Sequence, residues 1–196
     1  MINSAVNYQI SQLLDIYGNV IYSIPRYQRE YTWEKREWDE FFDDIFENNA
    51  GYFIGSMICI NRGIDALGLQ KLELVDGQQR MTTLSLMIAA IFSQLKEDNL
   101  KWMLVRKMNE DATRVEPQIL NNNNRDYRAA LSDAGALKSY DHLLQELEAK
   151  QIFKAYRHFQ NRLIKLSDRE EERLNSIMRF RDKILQATLV KIEVPS

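Results

Sequence analysis

The stretch from Arg80 to Lys96 constrains this chain more than any other. Met81, Leu84, Met87, Ile88, Ile91, Phe92 and Leu95 recur there at helical spacing. The apolar arc they make is too wide for a helix with one wet side, so the helix has to be central and largely buried. Immediately before it, Leu72 and Leu74 alternate with Lys71 and Glu73 in a strand ending at Val75, and Asp76-Gly77 supplies the turn. A strand, a tight polar turn and a buried helix need further strands beside the first and further helices around the second.

The rest of the chain provides both. The spacing predicts a helix over 8–16, an extended run over 20–25 ending at Pro25, and an amphipathic helix over 33–48. That helix carries Trp38, Phe41, Phe42, Ile45 and Phe46 on one stripe. Thr32 is its expected cap, and its carboxylates read as a solvated surface. Tyr52 to Ile60 reads as a buried strand and 61–70 as a loop. After Lys96 the periodicity turns mainly helical, with Ser167 and Glu170 as a capping box and a final alternating strand over 187–194. The expectation is an α+β fold. Residues 1–98 with 187–196 form a small mixed sheet carrying the buried helix, and 99–186 form a helical region. A terminal strand with no element after it reads as an N-terminal fragment of a longer protein.

Composition removes whole classes of chemistry. Gly is scarce, 7 of 196 residues, and neither a GxGxxG nor a GxxxxGK[ST] loop occurs. One Cys rules out a disulfide framework and any cysteine zinc cluster, while two His leave little for zinc catalysis or a Ser-His-Asp triad. No apolar run approaches the roughly 18 residues of a membrane span, and the start lacks a signal sequence, so a cytoplasmic protein is expected. The net charge of −2 means that contact with nucleic acid needs a local basic patch.

Two clusters could carry chemistry. In Asp76-Gly77-Gln78-Gln79-Arg80-Met81-Thr82-Thr83, polar groups crowd the start of the buried helix. A helix N-terminus offers unpaired N–H groups and the positive end of a dipole to an anion. Arg80 adds a bidentate fork, Thr82 and Thr83 add hydroxyls, and Gly77 allows close approach to the backbone. Asp76 is placed to hold a divalent cation or to orient water. The competing reading is an ordinary capped helix start, but capping needs one side chain and not two amides, an Arg and two Thr.

The second cluster is Arg26-Tyr27-Gln28-Arg29 with Tyr31 and Trp33, where aromatic rings alternate with guanidinium groups as a nucleotide or nucleic acid would require. Core aromatics with surface charges would look the same. Lys154 and Arg157 share one basic helix face with Lys150 and Lys165, which reads as a solvated face or a phosphate-contacting one. His142 and His158 read as surface or packing residues, and Cys59 as an inert core residue.

These residues also carry a resemblance. Ile24-Pro-Arg-Tyr-Gln-Arg-Glu-Tyr-Thr-Trp33, Tyr52-Phe-Ile-Gly-Ser56 and Leu74-Val-Asp-Gly-Gln-Gln-Arg-Met-Thr-Thr-Leu84 stand in the order and spacing of one family. The chain resembles the DGQQR-motif N-terminal domain of GmrSD-type modification-dependent restriction enzymes and related phage-defence proteins. The resemblance implies a ParB/sulfiredoxin-like core with Gly77 to Arg80 in the position of its phosphate-binding box. It also implies hydrolysis of a nucleoside triphosphate with a divalent metal, Mg or Mn. Asp76, Gln78, Gln79 and Arg80 would then belong to the nucleotide site, and Tyr27, Gln28 and Arg29 would line the same cavity or sense DNA, modified or not. In that family, cleavage of DNA belongs to an HNH-type nuclease domain or partner. Two other readings stay open at this stage: a nucleotide- or DNA-binding switch without turnover, and a nuclease acting through Asp76.

Overall fold

The computed structural model describes residues 2–14, 19–25, 27–109, 114–121, 125–138 and 150–195, with backbone alone at 120–121. Arg26 and His142 lie outside the described residues. The architecture is α+β. A six-stranded mixed sheet contains β1 (Ser4–Gln9), β2 (Val20–Ile24), β3 (Phe53–Ile64), β4 (Gln70–Asp76), β7 (Ile119–Asn121) and β8 (Thr188–Val194), in the order β1-β8-β3-β4-β2-β7. A two-stranded hairpin pairs β5 (Val105–Lys107) with β6 (Val115–Pro117). The helices are α1 (Ile10–Leu13), α2 (Lys35–Glu47), α3 (Gln78–Leu95), α4 (Asp98–Leu104), α5 (Arg125–Ala134), α6 (Gln151–Ile164) and α7 (Glu170–Gln186). None of them is long and apolar enough to cross a membrane, among the described residues.

The helix at 78–95 is central, as its composition requires. Every residue from Met81 to Phe92 is buried, and α3 packs against α4, α5, α6 and α7. Alternation along the strands sends Met57, Cys59, Leu72, Leu74, Tyr22 and Leu189 to one side of the sheet, where they join α3 in a single hydrophobic core. The C-terminal strand lies between β1 and β3, antiparallel to the first and parallel to the second. The alternation over 187–194 therefore reports a strand inside the sheet and not an edge.

Several local expectations are corrected. The first element is a strand over 4–9 followed by four helical residues, and not a helix over 8–16. Pairing with β8 overrides the apolar spacing of Ile10, Leu13 and Leu14, which are buried all the same. The hairpin between β3 and β4 extends further than the expected loop allowed. Its tip is closed by Asp65, whose Oδ1 accepts from the N–H groups of Leu67 (2.9 Å) and Leu69 (3.1 Å). Glu34 caps α2, not Thr32, and the Glu37 carboxylate accepts the Glu34 N–H at 2.9 Å. Ser167 does not pair with Glu170. Its hydroxyl accepts the Arg169 N–H at 3.2 Å and donates to Glu172 at 3.0 Å. Residues 99–186 also include three short strands, one of which joins the main sheet beside β2.

The carboxylates of α2 are not all a solvated surface. Asp39 takes His158 Nε2 and Arg162 Nη1, both at 2.7 Å, while Arg162 Nη2 donates to Asp43 at 2.5 Å. The Arg162 guanidinium also lies 4.2 Å from the centroid of the Phe42 ring. Burial alone would raise the Asp39 pKa, but the hydrogen bonds from His158 and Arg162 outweigh it and bring it below its ordinary value. His158 is thus a packing residue with a partner, its ring 5.5 Å from that of Trp38.

Candidate functional site at the β4–α3 turn

The chain leaves β4 at Asp76 and enters α3 at Gln78 through Gly77, whose φ is 87°. Two constraints fix that glycine. Its conformation is left-handed, and a Cβ there would meet Met57 Cβ at 3.0 Å and the Ser56 carbonyl at 3.2 Å. No side chain caps the first turn of α3. The carboxylate of Asp76 is exposed and has no hydrogen bond or ion pair among the described residues.

The three residues that follow divide their work. Gln78 Nε2 donates back to the carbonyls of Val75 (2.8 Å) and Leu74 (3.3 Å), tying the helix start to its own strand. Gln79 reaches across to the 27–33 segment. Its Oε1 accepts the N–H groups of Thr32 (2.8 Å) and Trp33 (3.3 Å), and its Nε2 donates to the Glu30 carbonyl at 2.9 Å. Arg80 Nη1 donates to the Ser56 carbonyl at 2.6 Å. The guanidinium lies against Gly55, where a Cβ would stand 2.9 Å from Arg80 Cζ. Gly55 has φ 115° and falls where the β3–β8 register shifts.

The hydroxyls point inward. Thr82 and Thr83 are buried. Thr83 Oγ1 shares a hydrogen bond with Tyr31 Oη at 2.7 Å and donates to the Gln79 carbonyl at 2.7 Å. Tyr31 Oη also accepts from Trp38 Nε1 at 2.9 Å, and burial pushes the Tyr31 phenol pKa up. Behind the segment, Gln151 Nε2 at the start of α6 donates to the Trp33 carbonyl at 2.8 Å.

The outer residues sit differently. Tyr27 is 76% exposed, and its hydroxyl donates to Glu73 on β4 at 2.8 Å. Arg62 grips the same carboxylate through Nε (3.1 Å) and Nη2 (3.0 Å). These hydrogen bonds from Arg62 and Tyr27 lower the Glu73 pKa, and the bond to Glu73 raises that of Tyr27. Gln28 closes a turn through its N–H on the Pro25 carbonyl (3.1 Å), and Arg29 is exposed with no partner among the described residues. Lys154 and Arg157 belong to another place. They line a cavity of about 420 Å³ with Lys35, Trp38 and His158, and Arg157 pairs with Asp133. Burial pushes the Cys59 thiol up to about 11, as an inert core residue requires.

Three stretches far apart in sequence therefore meet at one helix start: 30–33 through Gln79 and Thr83, 55–56 through Arg80, and 74–75 through Gln78. The sequence reading missed Gly55, Ser56, Glu73 and Gln151 as parts of this assembly. A glycine inside an otherwise β-forming run was the available signal for the first.

The fold and site define an α+β domain whose polar helix start clamps a preceding aromatic segment. The chain matches the family model of the GmrSD restriction endonuclease N-terminal domain over residues 10–196. It belongs to that family, and so to the N-terminal domains of restriction systems. Comparison with curated proteins gives no match.

Proposed function

We propose that this domain binds a nucleoside triphosphate at the β4–α3 turn and hydrolyses it, as the regulatory step of a DNA-targeting restriction system. The observation that supports this most is what the turn leaves unsatisfied. Among the described residues, the first amides of α3 have no side-chain cap, the exposed Asp76 carboxylate has no hydrogen bond or ion pair, and Arg80 donates through Nη1 alone. Such a helix start favours phosphate, and the remaining donors of Arg80 would steady charge that builds during phosphoryl transfer. Asp76 would share a divalent cation, Mg or Mn, with the phosphates. No group of three or more possible metal ligands occurs among the described residues, so the nucleotide's own oxygens and water would complete the shell. The bound cation would neutralise phosphate charge there.

Gln78 keeps its Oε1 available to orient the attacking water, whereas Gln79 spends both ends of its amide on the 30–33 backbone and acts as a positioning residue. Tyr27, Gln28 and Arg29 would close over the nucleotide or report DNA to it. Cleavage would fall to an HNH-type nuclease, in a C-terminal domain or a partner subunit.

The commitment of Gln79 and Arg80 to backbone oxygens favours one other reading, a switch that holds nucleotide or DNA without turnover. Titration of the chain with a fluorescent triphosphate, alongside phosphate release in Mg²⁺ and Mn²⁺, separates the two. Binding with metal-dependent release is the expected result. Binding without release in either metal leaves the switch, and neither binding nor release ends both readings.

A further inference from the structure

Residues 99–147 carry no recognisable motif, yet the described part of that stretch builds a second cavity. It has a volume of about 340 Å³ and lies between α4, β6 and the turn that follows α5. Lys101, Trp102, Arg114, Glu116, Arg128 and Lys138 line it. Four of these six are cations and one is a carboxylate, in a chain whose net charge is −2. Glu116 is already taken by an ion pair with Arg128, and it lies 3.9 Å from Arg114. Lys101 and Lys138 have no carboxylate partner among the described residues.

One cation of the cleft, Lys101, and the neighbouring Lys107 flank a single aromatic ring. The ammonium groups of Lys101 and Lys107 stand 5.1 and 4.7 Å from the centroid of the half-buried Trp102 ring. With no carboxylate partner among the described residues, Lys101 and Lys138 favour an anion in the cleft. An inorganic anion would use the cations but not the ring. A nucleic-acid strand uses both, because phosphates follow the charge and bases stack on aromatic surfaces. The volume falls in the range of about 300–1,000 Å³ typical of ligand clefts, and one nucleotide suits its lower end.

We propose that this cleft seats one nucleotide of a DNA strand, with flanking phosphates on Lys101, Arg114 and Lys138 and a base at the Trp102 ring. The inference rests on the DNA-targeting reading above and is independent of triphosphate hydrolysis. The test is fluorescence anisotropy of the full chain with a labelled oligonucleotide and with a labelled mononucleotide, each across a salt series. The combined variant Lys101→Ala, Arg114→Ala, Lys138→Ala should bind the oligonucleotide at least roughly tenfold more weakly. Its slope of log affinity against log salt should be shallower by about 2 to 3. Its melting temperature and its phosphate release should stay at wild-type values.

Lys35→Ala, in the cavity between α2 and α6, should leave the slope unchanged. The proposal is overturned if wild type binds no oligonucleotide, if the triple variant binds it normally, or if Lys35→Ala takes the larger effect. A mononucleotide that binds as tightly as the oligonucleotide would make the cleft a free-nucleotide pocket and overturn it as well. Lost DNA binding with intact phosphate release separates this cleft from the β4–α3 turn. A wild type that binds the oligonucleotide but releases no phosphate sinks the hydrolysis reading alone.

Discussion

Asp76 and Arg80 stand on opposite sides of the β4–α3 turn and differ in what they hold. The Asp76 carboxylate is exposed and has no hydrogen bond or ion pair among the described residues, so Asp76→Ala should leave thermal unfolding unchanged while phosphate release falls about 100-fold or more. Arg80→Ala should lower release by a similar factor and also lower the melting temperature, because the Ser56 carbonyl loses its donor. A variant at Asp76 that melts early would show a structural carboxylate instead. Gly55→Ala is the third case. The new Cβ would press on the guanidinium at a φ of 115°, so a loss of about 1–3 kcal/mol is expected in denaturant unfolding. Turnover by this variant should fall along with that of Arg80→Ala. At this scale the sequence made the polar turn visible, since two amides, an Arg and two Thr exceed what capping needs. It did not show that Gln79 and Thr83 are spent on the 27–33 segment, because such bonds depend on strand register and not on spacing.

Helices and strands were legible where one physical signal dominated. The buried run of α3, the stripe of α2 and the alternation of β8 each predict their element, and packing agrees with propensity in all three. The first segment was misread because helical spacing at Ile10 to Leu14 competes with pairing along β8, and the pairing partner lies nearly the whole chain away. The caps were misread because Ser and Thr are only the commonest capping residues, and Glu34 serves α2 through its reciprocal bond with Glu37. The link between α2 and α6 carries a pH prediction. Asp39 has a depressed pKa in the folded chain, so its contribution is present above the ordinary carboxylate value and is lost as pH falls through the lower one. Wild type should therefore lose stability steadily below about pH 5, and Asp39→Asn should flatten that part of the curve. Denaturant midpoints measured from pH 7 to pH 3 check this, and parallel curves would remove the link from the account.

For the molecule as a whole, the core residue most exposed to test is Leu189, which is fully buried in the strand between β1 and β3. Leu189→Ala should cost about 2–5 kcal/mol, read as a shift in the denaturant midpoint. The α+β class was legible from the change of period after Lys96, but the arrival of β7 beside β2 was not, since three residues carry no period. The place of β8 also bears on synthesis. A ribosome delivers 188–194 after the other described elements, yet this strand has neighbours on both sides, β1 and β3, made long before it. Until it emerges, β1 has no neighbour in the sheet and the β3-β4-β2-β7 sheet keeps an open edge, and Met57 and Cys59 lack the neighbour that completes their cover. Until that strand emerges, the nascent domain stays in a sticky, incompletely paired state, which is when holding chaperones matter most.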